Sequence, residues 1–309
     1  MTILSPIMSF IVDRQVGFPI PSEKEKINKV LKRYRYILGE NSKRADAPEI
    51  MFGIADLLVG RNNPGDYSEA GKLYDHILLR HIPDSLRGRA LIGKAELMIG
   101  RPEEFDNAIS FCDKAKKLLG SDMTDFFAAK THIVEAELLL ARNHGSDWAK
   151  ALKLIDRVIK SRDAHWYFQG RALLTKGEIT LYRKPKDLRT PLKLVDKALV
   201  SLKSREDDYF TNKGKVLKAE ILIRRAKGGD FPRAEKLLLE VVKMSLEYAE
   251  LIARAKIDLA DIVNNPKAKK YLQEVNEMEG LDPYLIEKAQ LIEQAITERK
   301  KQDKKKKKK

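Results

Sequence analysis

The residue types that could carry out chemistry are few in this chain, and their spacing forms no recognisable reactive site. A single cysteine, Cys112, excludes a disulfide within the chain and a zinc site of paired cysteines. Cys112 lies on an apolar helical stripe with Phe111 and Ala115, which predicts a buried thiol rather than a nucleophile. None of the five histidines has the His-Glu-x-x-His spacing of a zinc protease; they are His76, His81, His132, His144 and His165.

Glycine-rich phosphate-binding loops are absent as well. The sequence contains no Gly-x-x-x-x-Gly-Lys-Ser/Thr, and no Gly-x-Gly-x-x-Gly that follows a strand pattern. We find no convincing strand pattern anywhere. We therefore expect no enzymatic activity, no cofactor and no metal site.

Carboxylates are numerous, and the most regular of them recur at a fixed interval. Each follows a small residue and precedes an apolar one, in "ADLL" at 55, "AELM" at 95, "AELL" at 136, "GEIT" at 177, "AEIL" at 219 and "ADIV" at 260. The small residues are 40, 41, 41, 42 and 41 positions apart. Because Glu96, Glu137, Glu178 and Glu220 repeat with this period, we expect a structural role for them in each repeat rather than catalysis.

A second phrase, acidic-aromatic-x-x-Ala, follows in most repeats, as in "GDYSEA" at 65–70 and "GDFPRA" at 229–234. An apolar or small residue stands seven positions after its small residue in all six repeats. Both phrases lie in segments with apolar residues every three or four positions, which is typical of helices, and turn signals such as "RNHGSD" separate them. Each repeat therefore predicts two antiparallel helices, named helix A and helix B, that must stack on neighbouring repeats. The small residues of helix B are Ala70, Ala108, Ala151, Pro191, Ala234 and Ala268.

These phrases resemble the tetratricopeptide repeat family, whose consensus has a small residue and glycine in helix A and Gly-Asp-Tyr-x-x-Ala opening helix B. "LIGKAELMIG", "EFDNAISFCDKA" and "KAEILIRRAKGGDFPRAEKLLLEV" carry the resemblance, which covers roughly residues 47–280. It implies an all-α fold, an α-solenoid of about six antiparallel helix pairs wound into a right-handed superhelix, with flanking cap helices. The two small positions are 13–15 residues apart in the first five repeats, so these are long variants of about 41 residues.

The ends of the chain differ from the repeats. We expect an apolar arm at 1–20, a cap helix at 21–46, the repeat array at 47–281, a second cap helix at 282–299 and a disordered poly-lysine tail at 300–309. The first cap helix could instead be a basic amphipathic helix that meets an anionic surface. The arm packs along the first repeats or else docks into a partner or a second copy, which would allow self-association.

The net charge of +15 is unevenly distributed, because +8 falls within residues 299–309. The tail could bind nucleic acid or another polyanion, or could serve only for solubility. Its terminal run is Lys304, Lys305, Lys306, Lys307, Lys308 and Lys309. No apolar run is long enough to span a bilayer, and the start of the chain lacks the features of a cleaved signal, so we expect a cytoplasmic protein.

The resemblance implies that helix A lines the inner wall of the array and that partners bind there. We predict a partly basic groove with an apolar floor, which suits an extended or helical peptide, above all an acidic one. The alternative is a solvated helical face whose lysines pair with neighbouring carboxylates. The predicted groove residues are Arg87, Lys94, Leu97, Leu138, Lys176, Ile179, Lys218 and Ile221.

Three functions remain open on the sequence alone. The first is a non-enzymatic scaffold or adaptor that binds a partner protein along helix A within a multi-subunit assembly. The second is a module that binds an anionic polymer or surface, such as nucleic acid, polyphosphate or acidic lipid, through the tail and the groove. The third is a regulatory subunit without an active site of its own.

Overall fold

The structure is a computed structural model. The arm predicted at 1–20 and the last lysines, Lys307, Lys308 and Lys309, lie outside the residues it describes. It describes residues 21–40, 46–61, 65–99, 101–120, 122–123, 125–162, 164–202, 209–243, 249–263, 265–278, 281 and 283–306.

Helices account for nearly all of the described residues, among which there is no strand, so the predicted all-α fold is confirmed. A short 3₁₀ turn, Pro102–Glu104, precedes one of them. The helices are α1 (Pro21–Glu40), α2 (Ala47–Arg61), α3 (Asp66–Leu78), α4 (Asp84–Leu97), α5 (Phe105–Leu119), α6 (Phe126–Arg142), α7 (Asp147–Lys160), α8 (Trp166–Arg183), α9 (Arg189–Ser201), α10 (Tyr209–Arg225), α11 (Asp230–Val242), α12 (Ala249–Ile262), α13 (Asn265–Asn276) and α14 (Pro283–Lys306).

Along the chain, the helices from α2 to α13 alternate between helix A and helix B six times, with α1 before them and α14 after them. The chain divides into two compact units, of which unit 1 comprises 1–179 and 200–208, and unit 2 comprises 180–199 and 209–309. In unit 1, helix A also contacts helix A of the next repeat, as α2 does with α4 and α4 with α6. In unit 2, α10 contacts α12 in the same way. Successive A helices are therefore neighbours within each unit.

The small residues of the two phrases form the tightest part of each core. In unit 1, Ala95 and Ala136 on the A helices and Ala108 and Ala151 on the B helices have no exposed surface. In unit 2, Ala234 and Ala268 are equally buried. Gly93 shows how close the helices come, since a Cβ atom there would lie 2.3 Å from the ring of Tyr74. Small side chains are therefore required where neighbouring helices meet.

The turn between helix A and helix B is fixed by an arginine and an aspartate five residues apart. Asp147 accepts hydrogen bonds from Nε and Nη2 of Arg142 at 2.8 Å, and from the backbone N–H of His144 at 3.0 Å. Asp230 accepts the same bonds from Arg225 at 2.8 and 2.6 Å and from the N–H of Lys227 at 3.0 Å. The aspartate of the repeated phrase, which is the first residue of helix B, therefore ties the turn to the last residue of helix A through charge-assisted hydrogen bonds.

The two flanking helices pack on the array with apolar stripes. Ile27 and Leu31 of α1 are buried in one core with residues of α2 and α3, and Leu285 and Ala289 of α14 are buried in another with residues of α12 and α13. Helix α14 is longer than predicted, because it continues to Lys306 through part of the segment expected to be disordered. Lysine and glutamine have good helix propensity, and extending an existing helix needs no new nucleus.

Candidate binding surface

Ion pairs join the A helices of successive repeats at a constant spacing of 34 residues. Glu96 accepts from Lys130 Nζ at 2.7 Å, and Glu137 from Arg171 Nη2 at 2.8 Å, both in unit 1. In unit 2, Glu220 accepts from Arg254 Nη2 at 2.6 Å. We call these three ion pairs the charge ladder. The acids are those of the repeated small-acidic phrase. Their predicted structural role is therefore seen directly in three repeats.

The ladder in unit 1 is largely shielded from water. The side chain of Arg171 is only 5% exposed, and its Nη1 atom also lies 3.9 Å from Glu96. Burial alone would raise the pKa of Glu96, but the cations of Lys130 and Arg171 outweigh it and hold the pKa below its usual value. The carboxylate of Glu96 is therefore ionised and is fixed in place before any partner arrives.

An aromatic and acidic cluster lies next to the ladder in unit 1. The guanidinium of Arg89 lies between the rings of Phe52 and Phe127, 4.2 and 4.4 Å from their centroids. Tyr74 donates its hydroxyl to Asp56 at 2.7 Å. Burial raises the pKa of Asp56 to about 6, although the Lys130 cation and the Tyr74 hydrogen bond act in the opposite direction.

In unit 2, Glu220 accepts hydrogen bonds from several side chains. Arg254 and Arg224 each donate to it at 2.6 Å, and the hydroxyl of Tyr182 lies 3.2 Å away. Burial would raise the pKa of Glu220, but these cations hold it below its usual value. Tyr182 remains 46% exposed, so this cluster reaches the surface.

The predicted groove lysines are engaged in ion pairs between a B helix and the following A helix. Lys176 lies 2.6 Å from Asp156 in unit 1, and Lys218 lies 2.7 Å from Asp196 in unit 2. Lys94 pairs in the same way with Asp75. The structure therefore places these three cations in the paired arrangement that was the alternative to an open basic groove.

The other predicted groove residues also have structural contacts. Arg87 donates to the backbone carbonyl oxygens of Leu78 and Arg80 at 3.4 and 3.2 Å, near the end of α3. The four residues of the predicted apolar floor are all buried, so they are not open to a partner. They are Leu97, Leu138, Ile179 and Ile221.

The ion pairs between helix B and the following helix A differ in polarity along the chain. In the third repeat the polarity is reversed, because Glu135 of α6 pairs with Lys116 of α5 at 2.7 Å. The position of Glu135 is occupied by lysine in the second, fourth and fifth repeats and by Leu259 in the sixth. The residue just before the small residue of helix A therefore differs in charge from one repeat to another.

The bases of the charge ladder were missed in the sequence, although a signal for them exists. The residue six positions before the small residue of helix A is basic in the last five repeats. That column, compared with the acids of the preceding repeat, would have indicated the ion pairs. The column consists of Arg89, Lys130, Arg171, Lys213 and Arg254.

The candidate reactive side chains occupy packed positions. Cys112 is buried in a core cluster, and burial raises the pKa of its thiol. His132 is buried, and its Nδ1 lies 2.9 Å from the carbonyl oxygen of Ala128, while burial lowers its pKa. Over the described part of the chain, no three acidic, histidine or cysteine side chains gather as metal ligands. Nor does any described helix combine the length and apolar character that crossing a membrane requires.

The fold is similar to that of known helical solenoids. No model of a protein family matches the chain, and no curated protein matches its sequence. A human IFIT1 dimer with m7Gppp-AAAA is 14% identical with a TM-score of 0.53, over 82% of this chain and 56% of that one. Yeast Tom70 is 17% identical with a TM-score of 0.52, over 90% of this chain and 60% of that one.

Both similar structures are helical solenoids that contain tetratricopeptide repeats. The predicted α-solenoid fold is therefore confirmed, and the repeats are tetratricopeptide-like. This chain spans less than two thirds of the length of either protein. At these sequence identities the similarity establishes the fold alone.

Proposed function

We propose that the protein is a non-enzymatic scaffold or adaptor that binds a partner protein along its helix A surface, within a multi-subunit assembly. The observation that carries this proposal is the charge ladder, whose mostly buried ion pairs join successive A helices and so fix the helices that present the exposed side chains. A surface that is ordered beforehand loses little side-chain entropy when a partner binds. The solenoid fold supports the same function, because stacked repeats offer an extended surface.

The ion pairs of the predicted groove lysines change the kind of partner that fits. Lys94, Lys176 and Lys218 already face aspartates, so a purely acidic peptide would have to displace these anions. We propose instead a partner surface with both acidic and polar groups, recognised by its pattern of charge and hydrogen bonds. The human IFIT1 structure contains m7Gppp-AAAA, so the fold similarity alone does not favour protein over nucleic acid.

Photo-crosslinking at two matched positions tests this surface. Tyr182 on helix A and Phe231 on helix B are both aromatic, and they are exposed by 46% and 44%. A benzophenone amino acid is placed at either position in the full chain, and crosslinked material is identified by mass spectrometry. We expect a discrete protein adduct from position 182 and none from position 231.

Binding of the identified partner is then measured with purified proteins. Arg224→Glu reverses an exposed charge beside Glu220 and should weaken the complex at least about tenfold, as loss of a charged interface contact does. Lys186→Glu, an exposed lysine in the loop before α9, serves as the control. Equal crosslinking at both positions, or unchanged affinity of the Arg224→Glu variant, would contradict the proposal.

A further inference from the structure

The exposed faces of the B helices carry basic residues at a repeated position. Two residues after the small residue of helix B, lysine occurs in five of the six repeats. All five of these lysines are exposed. They are Lys72, Lys153, Lys193, Lys236 and Lys270.

Helix α7 in unit 1 has the most complete basic face. Lys150, Lys153, Arg157 and Lys160 are spaced three, four and three residues apart, which places them on one side of the helix. Apart from Trp148, they are the only exposed residues of α7. Ten residues of helix cover about 15 Å, so the four cations form a short straight row. We call these four residues the α7 basic face.

These cations differ from those of the A helices in having no anion of their own. None of the four forms an ion pair with any residue that the structure describes. On the A helices, by contrast, Lys130, Arg171 and Lys176 all contact carboxylates. The α7 basic face therefore concentrates four cations that no described carboxylate pairs with, and an external anion can neutralise them.

Other B helices carry exposed cations as well. In unit 1 they come from α3 and α5, and in unit 2 from α9, α11 and α13. Only Lys270 among them comes near a described carboxylate, Glu274, at 3.9 Å. These cations are Lys72, Lys114 and Lys117 in unit 1, and Lys193, Arg233, Lys236, Lys267, Lys269 and Lys270 in unit 2.

We propose that the exposed faces of the B helices, and above all the α7 basic face, bind the phosphate backbone of a nucleic acid. A row of cations along a helix fits a linear polyanion. Lipid insertion does not suit α7, because Ala151, Ile155 and Val158 are fully buried in the core and Trp148 is its only exposed large apolar side chain. Long, exposed cationic side chains that contact only phosphates read no base edges, so binding is independent of sequence.

The test measures affinity for mixed-sequence RNA against salt concentration. The full chain is compared with the quadruple variant K150Q/K153Q/R157Q/K160Q by fluorescence anisotropy, using a single-stranded probe of about 20 nucleotides. Each lost contact with a single strand reduces the slope of log K against log salt by about 0.7, so four contacts give about 3. The loss of affinity between about 50 and 200 mM salt should then be about fifty times smaller in the variant.

A second quadruple variant separates a specific face from net charge. K32Q/R33Q/K184Q/K186Q removes the same number of exposed cations from α1 and from the loop before α9. We expect its salt slope to remain close to that of the unmodified chain. Circular dichroism checks that both variants stay folded. We expect that they do, because replacing exposed lysine or arginine by glutamine changes stability little.

Three results would overturn the proposal. Equal slopes for the two variants would show that only net charge matters. Loss of binding solely on deletion of residues 300–309 would assign all contacts to the tail. If the α7 variant loses binding to vesicles containing acidic lipid while its RNA affinity is unchanged, the face is a membrane-docking surface instead.

Discussion

Replacing Arg171 by methionine tests whether the charge ladder holds the repeats of unit 1 together. Arg171 is 5% exposed and donates to Glu137 at 2.8 Å, with Glu96 at 3.9 Å. Methionine fills a similar volume without a charge. The substitution therefore leaves Glu137 without its cation while changing little else in the packing.

The expected cost follows from how much water reaches the remaining carboxylates. Removing one partner of a buried ion pair costs about 3–5 kcal/mol. Glu137 and Glu96 keep exposed fractions of 19% and 24%, so water compensates in part. We therefore expect a loss near the lower end, about 3 kcal/mol in the free energy of unfolding.

Urea unfolding of a double-mutant cycle isolates the pair from the packing. Both tryptophans of the chain, Trp148 and Trp166, lie in unit 1, so their fluorescence follows the unit that carries Arg171. Arg171→Met, Glu137→Gln and the double variant should show a coupling of about 1–2 kcal/mol. A coupling near zero would refute the idea that this ion pair links the layers.

A matched control tests whether the loss of stability would follow from removing any cation. Arg157 lies on the exposed face of α7 and forms no ion pair with a described residue. Arg157→Met should change the free energy of unfolding by less than about 0.5 kcal/mol. If it destabilised unit 1 as much as Arg171→Met does, general charge rather than the ladder would be responsible.

Two further substitutions test the turns. Asp147→Asn weakens the bond from Arg142 and should lower the free energy of unfolding by about 2 kcal/mol at neutral pH, measured in urea. The bond from Arg142 is the main reason that the pKa of Asp147 is lowered in the folded protein. The stability difference between the two proteins is therefore complete above the pKa of an unfolded aspartate, about 3.9, and is lost as the pH falls through the lower pKa of the folded state. Equal stability of the two proteins at neutral pH would contradict this. Ala226→Gly relieves an alanine at φ 48° and should raise the thermal midpoint by the equivalent of about 0.5–1 kcal/mol, whereas a lower midpoint would disprove the strain.

The helical pairs could be predicted because each repeat states them independently. The seven-residue offset after Ala108, Ala151 or Ala234 places two buried residues on one side of helix B, and the structure buries both in each case. The turn phrase could be located but not explained, because the bond between Arg142 and Asp147 joins residues on two different helices.

The side chains that helix A leaves accessible were harder to predict, because their orientation depends on how the long repeats stack. Adjacent positions on a helix point about 100° apart, so a small error in facing exchanges an accessible residue for a buried one. Leu138 and Ile221 were chosen two positions after the small residue, and both are fully buried. The partners of Lys94 and Lys176 lie about twenty residues earlier in the preceding helix B, a pairing that helix periodicity alone does not reveal.

The reach of these contacts has a consequence for how the chain acquires its structure. The hydrogen bonds and ion pairs described here join residues at most two repeats apart, the longest being that between Arg171 and Glu96. Little loop-closure entropy opposes such short-range connections. Ordering can therefore nucleate in neighbouring helix pairs of the described repeats and spread from there to the next repeats, without waiting for distant segments to meet.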